Sequence, residues 1–589
     1  MGELRTVLPY FRPYLKGFSL GLVCVLFANV FQVAGPWLLK LAIDGIGDPE
    51  VTRGHIAGLA GLIVLAAFVG GVFRYGMREL LNGISRRMEA DLRDDFFRHL
   101  LRLDPAFYGR VRTGDLMSHA TNDTLAVRMA VGPAVMYTVN TTVTFTLTLS
   151  LMLWMSPRLT LYAVLPLLAL PPIMIKFGHI IHERFERIQE QFSALSTFVQ
   201  ENLTGVRIVR AYGQETDQAR RFDAFNEDYR ERNMKLVIST GAFRPLLMLI
   251  AGISMVLVTW LGGLEVIAGR ITVGDFVAFT FYLTLLVWPM IALGWVVNLY
   301  QRGSASMGRI NKILNTEPAV STPARPVRLE NPRGEIRFEG VSFAYPGTTR
   351  PVLRDVDFTA PAGATVAIVG PTGSGKSSLV SLIPRLYDPT EGRVLLDGVP
   401  LPELDPADLR GLIGMVPQDA FLFSDTIAAN IALGLEGAPD PKVVEEAARV
   451  AQLDEQVQDF PRGYETPLGE RGINLSGGQK QRAALARALA RDPTILLLDD
   501  ALSAVDTHTE AKILADLRSV TATHTTFIIS HRVSAVMHAD LILVLEDGRI
   551  VERGRHAELI GGGGTYARLL RRQMLEQDLE SEDLAGAAS

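Results

Sequence analysis

The sequence predicts a helical membrane half followed by an α/β half that carries a phosphate-binding loop. Three observations lead there. Six apolar stretches precede residue 300, each long enough to cross a bilayer, which takes about 20 residues as helix. Beyond a proline-rich linker the apolar runs shorten and alternate with helical patterns, as α/β domains require. Within that second half, Gly370-Pro371-Thr372-Gly373-Ser374-Gly375-Lys376-Ser377 spells GxxxxGK[ST] between an apolar run and a helical pattern.

Composition agrees with the division. Of 589 residues, 48% are apolar and 21% charged. The mean hydropathy of +0.21 averages an apolar first half with a charged second half. The formal net charge of -5 gives no cue for nucleic-acid binding. A single cysteine, Cys24, excludes an internal disulfide framework and fits a reducing interior. Arg5, Arg12 and Lys16 precede an apolar stretch too long for a cleavable signal, with no small-residue cleavage site after it.

The membrane segments lie near 17–43, 56–75, 133–156, 158–178, 243–268 and 275–299. Pro36, Pro166, Pro171, Pro172 and Pro289 fall within them, tolerable where neighbouring helices satisfy the freed backbone groups. The connectors near 44–55, 156–158 and 266–274 are short and carry few basic residues. Those near 74–130 and 179–242 are long and rich in Arg, as at Arg86-Arg87 and Arg220-Arg221. Basic residues beside membrane ends favour the cytoplasm, which puts both termini and the long connectors inside. Each long connector holds a break, at Asp104–Asp123 and at Asn202–Glu215. Those breaks fit either short transverse helices set on a soluble domain or simple helix reversals.

Polar residues inside the apolar spans are expensive and often functional. Asn29, Gln32, Asn140, Arg244 and Asn298, with the threonines near 138–148, are therefore candidates to line a cavity. Helix–helix packing is the equal alternative for Asn140 and the threonines. Tyr300-Gln301-Arg302 is a candidate cytoplasmic gate, and Trp260, Trp288 and Trp295 fit interfacial belts or a hydrophobic cavity.

Pro318, Pro323, Pro326 and Pro332 mark the linker. The expected domains are 1–316, a linker 317–334, a second domain 335–572, and an acidic tail 573–589 with the composition of disorder. The glycines of the Gly370–Ser377 loop let backbone N–H groups wrap phosphates, Lys376 reaches terminal oxygens, and the Ser377 hydroxyl can hold Mg²⁺. The run Ile495-Leu496-Leu497-Leu498-Asp499 reads as a buried strand whose terminal carboxylate, Asp499, supplies a second metal-side oxygen. These two motifs fix a nucleotide-binding class and no more.

Leu475-Ser476-Gly477-Gly478-Gln479, followed by Lys480-Gln481-Arg482, narrows it. Here the chain resembles the ABC (ATP-binding cassette) exporters, over nearly its whole length. Further matches are Tyr345, which in the family stacks on adenine, and Gln418, which touches the metal and signals to the membrane half. Asp506 matches the D-loop and His531 the switch histidine, while Ser378 continues the phosphate loop. Gly469-Glu470-Arg471-Gly472 stands just ahead of the signature. The resemblance implies six transmembrane helices with long cytoplasmic extensions plus an α/β P-loop ATPase domain. It implies ATP and Mg²⁺ as cofactors, and two cassettes that each bury ATP between one phosphate loop and the other chain's signature. One chain with six helices and one cassette is then half of a dimer in the cytoplasmic membrane.

The resemblance also carries a departure. Where the family places a catalytic glutamate, this chain has Asp500, one methylene shorter. A base displaced by roughly 1–1.5 Å loses its grip on the attacking water, because geometry precedes pKa in general-base catalysis. The expectation is a heterodimer resembling bacterial heterodimeric multidrug exporters. Its slow site uses Lys376 and Asp500 of this chain, and its competent site uses a partner's glutamate completed by Leu475–Gln479 of this chain. Amphipathic drugs, lipids or peptides are the expected cargo. The alternatives are a homodimer with a repositioned water, an ATP-gated channel or regulator, and an importer of metal chelates on the same frame. A soluble cassette of DNA maintenance is excluded by the membrane segments.

Overall fold

The computed structural model describes residues 2–46, 50–435, 437, 440–469, 472, 474–521 and 524–574. Most of the acidic tail, together with Glu470 and Arg471, lies outside them. The chain forms two compact units: Met1–Leu101 with Thr113–Thr316, and Arg102–Arg112 with Glu317–Ser589.

The first unit is all helix. Its long members are α1 (Leu15–Ile46), α2 (Arg53–Leu100), α3 (Pro133–Met155), α4 (Pro157–Leu167), α5 (Leu170–Thr204), α6 (Glu215–Ile267) and α7 (Val273–Leu314). Local sequence explains their ends. Ser156 caps α4 by accepting from the Leu159 N–H, and Thr272 and Asp275 form a reciprocal capping box on α7. Pro171 and Pro172 stand in the first turn of α5, where a missing N–H costs nothing, so one apolar span becomes two helices.

Five runs among the described residues are long and apolar enough to cross a membrane: Gly2–Ile46, Arg53–Leu100, Pro157–Thr204, Glu215–Ile267 and Val273–Leu314. The expected third span, α3, is a 23-residue helix but is not among them, because its six threonines and Asn140 lower its hydropathy. Part of that polarity is spent inside the protein, although Thr142 and Thr146 are exposed and Thr141 and Thr142 line a cavity of about 150 Å³ with Phe145, Pro289 and Met290. Thr138, Thr141 and Thr144 donate to carbonyls one turn back at 2.7, 2.7 and 2.8 Å. Asn29 of α1 donates to Asn140 Oδ1 at 2.9 Å and accepts from the Thr144 hydroxyl. Asn29 and Thr144 are buried. The cluster thus fastens α1 to α3, the packing alternative, while Gln32 accepts from Arg74 at 3.0 Å and Tyr300 meets Thr138 at 3.4 Å. Arg244 and Asn298 are exposed within this unit.

The first connector breaks into short helices, Pro105–Tyr108 and Thr113–Ser118, then a π-helical turn, His119–Asp123. Arg102–Arg112 groups with the second unit, with Phe107 buried. The second connector has Val206–Ala211 between Gly205 and Gln214 and stays in the first unit.

The second unit holds two sheets. An antiparallel sheet runs in the order β2 (Leu353–Ala360), β1 (Ile336–Phe343), β4 (Glu391–Leu396), β5 (Val399–Pro400). The larger sheet has β3 (Thr365–Val369), β6 (Ile413–Val416), β7 (Ile495–Asp499), β8 (Thr525–Ile529), β9 (Leu541–Glu546) and β10 (Arg549–Gly554). Its order is β10-β9-β3-β8-β7-β6, parallel except at β10. Every residue of β7 is buried, the unbroken apolar pattern of a parallel strand covered on both faces. The carboxyl ends of β3, β8, β7 and β6 therefore meet along one edge, where open α/β sheets bind ligands.

Candidate nucleotide site

Four neighbouring strands deliver the site. Gly370 follows β3, Gln418 lies two residues beyond β6, Asp499 ends β7, and His531 lies two residues beyond β8. A cavity of about 220 Å³ is lined by Thr372, Gly373, Gly375, Lys376, Ser377, Ser378, Gln418, Asp499, Asp500 and His531, with Val352 and Ile529 as apolar walls. Gly370, Pro371 and Thr372 also border an adjoining cavity with His531.

The loop has its shape because glycine permits it. Gly370 (φ 151°) would put a Cβ 2.1 Å from the Leu545 carbonyl oxygen, and Gly375 (φ 101°) would put one 3.0 Å from that of Val352. Gly370→Ala is therefore expected to destabilise the second unit by at least about 1–3 kcal/mol, read as a lower melting temperature, and to abolish nucleotide binding.

At the foot of helix α8 (Lys376–Leu382), the Lys376 ammonium donates to the carbonyls of Gly370 at 2.9 Å and Pro371 at 2.8 Å. Burial lowers its pKa, against the pull of Asp499 and Asp500. Ser377 donates to Asp499 Oδ1 at 3.1 Å. Burial raises the Asp499 pKa, opposed by the Ser377 hydrogen bond and aided by the Asp500 charge. Ser374 is buried with a hydroxyl that has no hydrogen-bond partner. A loop with an orphaned hydroxyl, helix-start N–H groups and a lysine turned on its own backbone suits a polyphosphate.

The metal-side donors also fit. Ser377, Asp499 and Gln418 are hard oxygen donors on one cavity, the set magnesium takes. Among the described residues no cluster of three or more His, Cys, Asp or Glu would hold a metal by itself. Such an ion would lean on phosphate oxygens, which is magnesium's habit.

Asp500 sits on the cavity wall with φ 48°. Its N–H donates to Ile529 O at 3.0 Å and its carbonyl accepts from the Ser503 hydroxyl at 3.0 Å, so its backbone is fixed on both sides. Tyr345 is not on the cavity wall, but its hydroxyl meets Ser378 Oγ at 2.9 Å, tying the ring to α8.

The signature stands apart from this cavity. Ser476 caps helix α9 (Gly477–Ala490): its Oγ accepts from Gln479 N, and Gln479 Oε1 accepts from Ser476 N at 2.9 Å. Leu475 is buried beneath it. The Gly477 and Gly478 N–H groups begin a helix and lack intrahelical partners. A Cβ on Gly478 would lie 2.9 Å from the Ala504 carbonyl oxygen. Gln481 ties this helix to Ser503 and Ala504 at 2.9 and 2.8 Å. Asp506 serves locally as a helix cap, accepting from Thr509 N at 2.9 Å. The sequence pattern gave no sign of Val352 or Ile529, ordinary apolar residues that only the strand order brings to the cavity.

Comparison with known proteins follows the same division. Residues 18–290 match the ABC transporter transmembrane region, and residues 353–503 match the ABC transporter family. The chain is 41% identical over 568 residues to the probable multidrug resistance ABC transporter ATP-binding/permease protein YheI of Bacillus subtilis, covering 96% of this chain and 97% of that one. It is 36% identical over 579 residues to the ATP-dependent lipid A-core flippase of Chromohalobacter salexigens, covering 98% of each. Among solved structures, a bacterial Atm1-family ABC exporter with ATP bound superposes with a TM-score of 0.79 at 30% identity, covering 96% of this chain and 99% of that one.

Proposed function

Because this chain belongs to the ATP-binding cassette exporters, an ATPase coupled to transport across a membrane, we propose that it is the slow-site half of a two-chain pump. It works in the cytoplasmic membrane, with its cassette on the cytoplasmic side. Its relatives' names, a multidrug transporter and a lipid A-core flippase, support amphipathic drugs or lipids as cargo.

The single observation that carries the unequal-site reading is Asp500 on the cavity wall in a chain whose separate Ser476 capping box is intact. The loop 370–377 wraps the phosphates, and Lys376 swings from the Gly370 and Pro371 carbonyls to the terminal phosphate. Ser377, Asp499 and Gln418 would hold a magnesium ion, which when bound would supply positive charge to neutralise the phosphoryl oxygens. His531 steadies that group, while the Asp500 carboxylate stops short of the water. Tyr345 stacks on the adenine. Ser476, Gly477 and Gly478 donate instead to ATP held by the partner, a different half-transporter with glutamate in place of Asp500 and a defective signature. The separation of Ser476 from the Lys376 cavity within one chain supports the need for that second chain.

One observation favours a second reading, a homodimer with two equal sites. At φ 48° aspartate is among the few side-chain residues that tolerate left-handed backbone, so Asp500 fits its place regardless of catalysis. Inside-out vesicles containing this chain with and without a partner half test the proposal. ATP should drive cargo into the lumen only when both halves are present. Full-rate uptake by this chain alone would favour the homodimer, and no ATP-driven uptake in either case would reject export.

A further inference from the structure

The adenine side of the cassette holds a contact chain that the nucleotide cavity does not use. Tyr345 and Tyr387 pack edge to face with ring centroids 5.4 Å apart, and both lean on Phe343, at 5.0 and 5.5 Å. Tyr387 lies on the turn that follows α8. That turn is held unusually hard. Arg385 has φ 51°, a conformation that persists in a bulky residue only where its surroundings insist on it. They do: Arg385 is buried, grips Asp388 through two bonds of 2.8 and 3.1 Å, and its carbonyl accepts from Arg410 at 2.9 Å.

The same guanidinium donates to Ser321 O of the linker at 3.2 Å. Two residues earlier in the linker, Ala319 N donates to Asp104 Oδ2 at 2.7 Å, while Asp104 Oδ1 caps the helix Pro105–Tyr108 by accepting from Phe107 N at 3.2 Å. Burial raises the pKa of the Tyr387 phenol, and the charges of Tyr345 and Asp104 add to the rise. The linker is thus stitched at Ser321 to Arg385, two residues before Tyr387, and at Ala319 to Asp104, which caps the helix Pro105–Tyr108.

We infer that Tyr387 is a positioning residue through which the adenine platform at Tyr345 sets the placement of the helix Pro105–Tyr108 and of the linker at Ala319–Ser321. ATP then reports its base, as well as its phosphates, to the chain that leads into the membrane helices. The inference rests on the reading of Tyr345 as the adenine platform. Rigid packing is the reason the signal travels: a close-packed aromatic cluster transmits a shift of one ring to its neighbours rather than absorbing it.

Hydrogen exchange on the assembled full-length transporter tests it, with ATP in EDTA or inorganic tripolyphosphate as ligand. ATP should slow exchange in peptides covering 102–112 and 317–322 by at least about threefold, and tripolyphosphate, which lacks a base, should not. Tyr387→Leu should bind ATP within about threefold of the parent affinity, which shows that it is folded, yet lose that protection. Tyr387→Phe, which keeps the ring, should retain it. Tyr345→Ala should lower ATP affinity by about tenfold. If Tyr345→Ala binds ATP normally, the adenine reading falls and the inference with it. If Tyr345→Ala binds weakly but Tyr387→Leu keeps full protection, the inference alone is wrong. Equal protection by tripolyphosphate would also overturn it.

Discussion

Ser476→Ala is expected to lower the ATPase rate of the assembled transporter by about 10²-fold or more while leaving the number of bound ATP molecules unchanged. In the capping box the Ser476 oxygen accepts from Gln479 N, which occupies a lone pair and leaves the hydroxyl proton free. That proton, beside the N–H groups that open α9, is placed to meet a phosphate presented from outside this chain. Removing one donor aimed at transition-state charge typically costs 10²–10³-fold in turnover, that is about 2.7–4 kcal/mol. Alanine also removes the cap, worth about 1 kcal/mol. A melting curve separates the two losses, since the cap contributes a shift of a few degrees and cannot by itself stop turnover. A rate within twofold of the parent would mean that this signature faces no hydrolysing site.

The second large effect is on binding. Lys376→Ala is expected to weaken ATP at this chain's own site by roughly 10- to 100-fold, because hydrogen bonds to charged groups contribute about 1.5–3 kcal/mol. The structure adds a reason beyond the lost ammonium. Lys376 satisfies the carbonyls of Gly370 and Pro371, so alanine also strips the loop of its internal donor and loosens the cradle. Titration with a fluorescent ATP analogue should show one of two sites weakened. Two sites weakened equally would mean that both phosphate loops come from this chain.

The phosphate loop was legible because its chemistry is contiguous: eight residues carry the glycines, lysine and serine, and a strand and a helix flank them. Asp499 was legible for a similar reason, an acid ending an unbroken apolar run. Gln418, His531 and Tyr345 carry no local signal, and resemblance alone singled them out; strand order then explains why Gln418 and His531 share a cavity with Lys376. In the membrane half the sequence left two readings of the α3 threonines open, and the structure divides them: Thr138, Thr141 and Thr144 bond to their own helix, and Thr144 to Asn29, while Thr141 and Thr142 also line a cavity. The grouping of Arg102–Arg112 with the cassette was one of two alternatives the sequence left open, because it depends on single bonds such as Asp104 to Ala319, more than 200 residues apart in sequence.

The measurement that bears most directly on the unequal division of sites is the ATPase rate of Asp500→Asn in the transporter purified with its partner half. Amide for carboxylate keeps the size and the left-handed backbone preference while removing any base. A rate within about twofold of the parent is the expected result. A fall of 10²–10⁴, the usual loss when a working general base is removed, would contradict it and make Asp500 the catalytic residue of a competent site.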